Sequence, residues 1–276
     1  MTAPRPPFDS NRAWGAATAA IRANREVVIA LAGVFFLLPS LVMALLFPQP
    51  EPATGATMAA LSAEAADYYR QSFPVALPMA VLQAGGTLAL LTLLTDRTRP
   101  TVGQAIRAGF GALLPYLASQ VILGMALAML FMIGIGVLAA IAVSAVTVVG
   151  GIAIGFGLAL LVVRFALTAP VVAIERWRNP IAALRRSWQL TAGNTGRVLF
   201  FFALVLLAFA VVMMVVTGLT GIVFGLLLPA QFVAIARAVI SSVLGAGAVL
   251  VLVACLAATH AQLAGEPPER VSSTFE

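Results

Sequence analysis

The densest set of chemistry-bearing side chains in this 276-residue chain is ERWRNPIAALRRSWQLTAGN, residues 175–194. Arg176, Arg178, Arg185 and Arg186 stand there beside Trp188. Guanidinium groups at this density suit anions, because a planar fork of N–H donors matches two oxygens of a phosphate or carboxylate. Little else in the chain suggests chemistry. Glu175 sits among Arg residues, so a local ion pair accounts for it. His260 is the single histidine and ends an apolar run, a boundary position rather than a catalytic or metal-binding one. The sequence has no H-E-x-x-H, G-x-S-x-G, Walker or paired-carboxylate pattern. Its lone Cys255 makes neither an intramolecular disulfide nor a cysteine-based metal site, and reads as a small buried apolar residue. These residues predict no enzyme, no metal and no cofactor.

The elements that must hold the Arg patch follow from composition. The chain is 62% hydrophobic and only 9% charged, against about 25% charged in an ordinary soluble domain. Its mean hydropathy is +1.05. Such a chain needs lipid as its solvent, which predicts an all-α integral membrane protein. A spanning helix needs roughly 20 apolar residues. Six spans are expected at about 27–47, 73–94, 112–138, 146–168, 199–226 and 239–259. The uncharged stretch 111–163 is too long for one helix, and its turn is expected within 140–147. The first apolar run follows a polar lead of 26 residues and has no clear A-x-A cleavage site after it, so it reads as a retained span.

All 16 cations are Arg, and their placement predicts orientation. Fourteen fall in the segments that share a side with the termini; only Arg70 and Arg237 fall opposite. By the positive-inside rule, the 1–26 segment and the 260–276 tail are both cytoplasmic, flanking a membrane domain at 27–259. This placement beside spans argues against nucleic acid, although the net charge is +6. The one sizeable external loop, 48–72, carries Glu51, Glu64 and Asp67 and a short surface helix in its second half.

Asn179 and Pro180 start a helix as cap and first residue. Ile181, Leu184 and Trp188 then share a face, with Arg185 at its border and Arg186 pointing away. That describes an interfacial helix with Trp at the membrane boundary and Arg toward anionic head groups. The pattern recurs with Val102, Ile106 and Phe110, where Arg107 matches Arg185, and with Trp14, Ala17 and Ile21, capped by Asp9 or Ser10. Ala20-Ile21-Arg22, Ala105-Ile106-Arg107 and Ala183-Leu184-Arg185 align at offsets of 85 and 78 residues. The chain therefore reads as three repeats of a cytoplasmic interfacial helix followed by a two-span hairpin. Arg164 lies near the end of the fourth span and is expected to snorkel or pair structurally. Gln83 and Gln120 are candidates for interhelical hydrogen bonds. Gly151-x-x-x-Gly155 and Gly221-x-x-x-Gly225 are candidates for close helix packing.

Residues 164–197 resemble a known pattern. Pro170, Glu175, Ala183, Ser187, Trp188, Leu190 and Thr191 fall as they do in the bacterial YciC-like proteins and in the membrane domain of some glycerophosphoryl diester phosphodiesterases. The resemblance implies a stand-alone membrane domain in the bacterial inner membrane, without the catalytic barrel of the fused enzymes. The function expected is non-enzymatic, through an Arg-rich face that contacts anionic lipids or a protein partner. The alternative is a transporter of a small molecule or lipid. The contact residues expected are Arg107, Arg176, Arg178, Arg185, Arg186 and Trp188. Arg164, Pro170, Glu175, Asn179, Pro180 and Ser187 form the structural motif.

Overall fold

A computed structural model describes residues 7–48, 55, 57–95, 100–141 and 143–265. The chain is an all-α multi-pass membrane protein: no strand occurs among the described residues, and six helices are long and apolar enough to cross a membrane. In chain order the elements are α1 (Ser10–Ala23), α2 (Arg25–Leu46), α3 (Met58–Thr95), α4 (Val102–Gly111), α5 (Leu113–Ile141), α6 (Ser144–Phe165), α7 (Thr168–Ile174), α8 (Pro180–Thr191), α9 (Thr195–Leu227) and α10 (Ala230–Leu263). A short helix thus precedes a long hairpin three times over. The fourth span runs through a break at Ala166 and Leu167 into α7.

Six long helices overlap the six expected ranges, each longer than expected. α3 runs 38 residues, so the segment read as a separate surface helix is the first part of a long span helix. Pro74 and Pro78 lie inside it without ending it. α10 begins well before position 239, and Arg237 lies within it; the charge shortened the apolar run but not the helix. The turn between α5 and α6 falls in the expected window. Glu51, Arg5, Arg97, Arg99 and the 266–276 part of the tail lie outside the described residues.

Two apolar clusters form the core. One gathers Phe8, Ala13, Ala17, Leu167, Val171, Ala183, Leu190, Val198 and Phe201, among others. The other gathers Val28, Phe35, Phe36, Leu88, Leu91, Leu250 and Val253. Ile21, Leu94, Ala112 and Tyr116 pack against both. Nearly all these residues lie in the half of each span nearest the short helices. The α5–α6 hairpin is peripheral: 6% of each of its apolar windows is buried, against 39% for α3.

Each short helix packs on the last span of the preceding hairpin. α4 lies on α3, α8 lies on α6 and α7, and α1 lies on α10, which closes the series into a ring. The caps share a register. Asp9 accepts from the Asn11 and Arg12 amides, Thr101 forms a capping box with Gln104, and Asn179 accepts from the Ile181 and Ala182 amides. Four and eight residues after each cap stand the buried small pairs Ala13/Ala17, Ala105/Gly109 and Ala183/Ser187. The Ala20 alignment is therefore corrected by seven residues: Ala13 is the counterpart of Ala105. A shift of about two helical turns keeps the same face, which is why the sequence match tolerates it.

Two other expectations are corrected. Gly151 and Gly155 meet no neighbour; Gly150 faces Leu138 and Gly134 faces Ile154, so the hairpin closes on a face rotated by one residue. Gly225 is also open, while Gly221 faces the Arg237 guanidinium. Gln120 bonds within its own helix, donating to the Tyr116 hydroxyl at 2.7 Å.

Candidate anion-binding groove

The chain leaves α6 at Phe165, turns through Ala166 and Leu167, and resumes as α7 with Pro170 in its first turn, where a missing N–H costs little. The break leaves carbonyls at the end of α6 short of intrahelical donors. Ser187 and Thr191 of α8 supply them: both hydroxyls donate to the Arg164 carbonyl, at 2.9 and 3.2 Å. Both residues are fully buried. The Arg164 guanidinium lies 4.4 Å from the Trp188 ring centroid, and Phe165 stacks on that ring at 5.4 Å. Arg164 is thus a structural partner of Trp188, one of the two roles expected for it.

Glu175 ends α7, and Arg176 follows with φ of 57°. A non-glycine residue in that left-handed region costs roughly 1–2 kcal/mol, and it turns the chain sharply toward α8. The turn brings three side chains to one carboxylate. Arg186 Nε donates to both Glu175 oxygens, at 2.9 and 3.2 Å. Trp177 Nε1 donates at 2.8 Å. His260 Nε2, from the end of α10, lies 3.0 Å from Oε1. Burial pushes the Glu175 carboxyl up, but these partners outweigh it and hold the group below the ordinary range. Glu175 is therefore ionised at neutral pH.

Beside this junction an open groove of about 420 Å³ is lined by Glu175, Trp177, Ala182, Arg185, Arg186 and Gln189. The Arg185 side chain makes no hydrogen bond or ion pair among the described residues. Arg186 uses Nε on Glu175 and keeps its two terminal nitrogens unbonded among the described residues. The groove carries two guanidinium groups against one carboxylate, a balance suited to an anion.

Of the expected contact residues, Arg185 and Arg186 meet in the groove; Arg107, Arg176, Arg178 and Trp188 do not line it. Arg178 is exposed one residue before the α8 cap, and Arg107 is exposed on α4. Ile181 and Trp188 face outward, 66% and 40% exposed, while Leu184 turns inward. Sequence reasoning missed Trp177 and Gln189, gave the Thr191 hydroxyl no task, and assigned His260 only to a boundary. His260 is buried and reaches a carboxylate 85 positions away, a pairing that no local spacing signals. Among the described residues, no group of three or more His, Cys, Asp or Glu could hold a metal ion. Compared with protein-family models, curated proteins and solved structures, the chain matches none.

Proposed function

We propose that this membrane protein is non-enzymatic and acts through its Arg-rich end, which binds anionic lipid head groups of the cytoplasmic leaflet of a bacterial inner membrane. The observation that carries this reading is a set of cations whose side chains have no partner among the described residues. The guanidinium groups of Arg107, Arg178 and Arg185 make no hydrogen bond or ion pair among the described residues, and all three residues are exposed. Trp14 on α1, Trp177 in the turn before α8 and Trp188 on α8 are exposed, the residue type that favours the head-group layer. Each Arg near an anionic surface contributes about 1 kcal/mol. Packing favours binding over transport, because partly buried Ile21, Leu94, Ala112 and Tyr116 pack against both clusters at this end. The pattern at 164–197 supports kinship with stand-alone YciC-like membrane domains.

The test is native mass spectrometry of protein released from membranes in a gentle detergent. Anionic phospholipid should be retained, and retention should fall stepwise as Arg107, Arg178 and Arg185 become Gln. Equal retention of neutral and anionic lipid by the wild type would remove the reading.

A further inference from the structure

Resting on that reading, we propose that the groove between the 175–178 turn and α8 is a discrete, saturable site for one phosphate group, held by Arg185 and the terminal nitrogens of Arg186. A diffuse basic surface attracts anions without fixing them. This groove differs in three ways.

First, Arg186 is oriented before any ligand arrives. Its Nε is anchored on both oxygens of Glu175, so the opposite edge of the guanidinium has a fixed direction. A pre-set fork loses less freedom on binding phosphate than a mobile side chain does. Second, Glu175 is already satisfied by Arg186, Trp177 and His260, and it does not bond Arg185. The second cation therefore remains available. Third, Arg185 stands beside the outward stripe of Ile181 and Trp188 on α8. A lipid could keep its chains along that stripe while its phosphate enters the groove. A soluble phosphate ester satisfies the same two cations, so both sources share one chemistry.

Trp177 lines the groove and gives a reporter. The chain has three Trp, and Trp14→Phe with Trp188→Phe leaves Trp177 alone. This protein, in nanodiscs of neutral phosphatidylcholine, is titrated with short-chain phosphatidic acid, with glycerol phosphate and with inorganic phosphate. Native mass spectra of the otherwise wild-type protein count bound species in parallel. We expect a saturable Trp177 response at one equivalent, weakened roughly tenfold to a hundredfold by Arg185→Gln or Arg186→Gln. Arg70→Gln, which removes only an exposed pair with Asp67, should leave it unchanged. Unaltered melting temperatures would establish that the variants fold.

Saturation by phosphatidic acid, with or without the soluble phosphates, supports both the site and the lipid-facing reading. Saturation by the soluble phosphates but not the lipid supports the site and removes lipid as its source. No saturable response to any of the three, or a response untouched by Arg185→Gln and Arg186→Gln, overturns the site. Anionic lipid retained in the same mass spectra would then leave the broader reading standing.

Discussion

Glu175 takes donors from an indole, a guanidinium and an imidazole on three different segments. Glu175→Gln keeps the shape and removes the charge that Arg186 depends on. Its side chain is 20% exposed, which tempers the loss to about 1–2 kcal/mol. The pH dependence has a defined sign. A carboxyl held below its ordinary value of 4.5 adds stability that is full above that pH and is lost as pH falls through the lowered folded-state value. Melting curves of wild type and Glu175→Gln should therefore differ at pH 7 and converge in acid. A gap that widens on acidification would contradict this account. A second residue-scale expectation concerns Gly193, whose φ is 85° and whose Cβ position is empty. Gly193→Ala should cost about 1 kcal/mol through backbone strain alone, read as a lower melting temperature without change in oligomer size. A local Arg partner for Glu175 is legible in the sequence and is found in Arg186; its His260 partner and this φ are not, because both depend on where distant or following segments arrive.

Helices are far more legible than contacts. Six apolar runs, all but the third and fourth separated by Arg-bearing segments, have only one reading in lipid, since backbone groups must be paired within each span. The caps Asp9 and Asn179 are also readable, because a short polar side chain before a helical pattern has a local job. Which face a short helix buries is only partly readable. In α8 the sequence shows an apolar stripe at Ile181, Leu184 and Trp188, yet the buried face carries Ala183, Ser187 and Thr191 as well as Leu184 and Leu190. Small and hydroxyl-bearing residues allow close approach and satisfy a broken helix end, a need created by α6 and α7 rather than by α8. The same logic makes Gly109 critical. A Cβ there would meet the Ala89 backbone nitrogen at 2.5 Å. Gly109→Ala should push α4 away from α3 and cost about 1–3 kcal/mol. Gly103→Ala, on the same helix with open space around it, is the control and should be neutral or slightly stabilising. Unfolding in increasing denaturing detergent would compare them; equal behaviour would show that the close approach does not matter.

Across the whole molecule, the short helices link consecutive hairpins, and the first one closes the ring on the last span. Specific contacts at Phe8 and Asp9 add to the α1–α10 packing that closes it. Phe8 is 5% exposed and stacks edge-on against Phe201 at 5.6 Å. Its amide donates to the Asn194 side chain at 2.9 Å. The Asp9 backbone and the Gln262 side chain exchange two hydrogen bonds, at 3.2 and 3.1 Å. The segment leading into α1 therefore bridges the start of α9 and the end of α10. Phe8→Ala removes a buried ring, with a cost of about 3 kcal/mol or more. The loss should be local in its dynamics, because α1 packs on α10 while the α5–α6 hairpin is peripheral. Hydrogen exchange in the variant should rise at α1 and at the last turns of α10, around His260 and Gln262. It should stay unchanged in α5. His260 also meets Glu175, so loosening this end of α10 should reach the groove and weaken its orientation of Arg186. Faster exchange at α1 with an unchanged α10 would mean that the first helix merely rests on the bundle, and the ring would be open in energetic terms even though its contacts close.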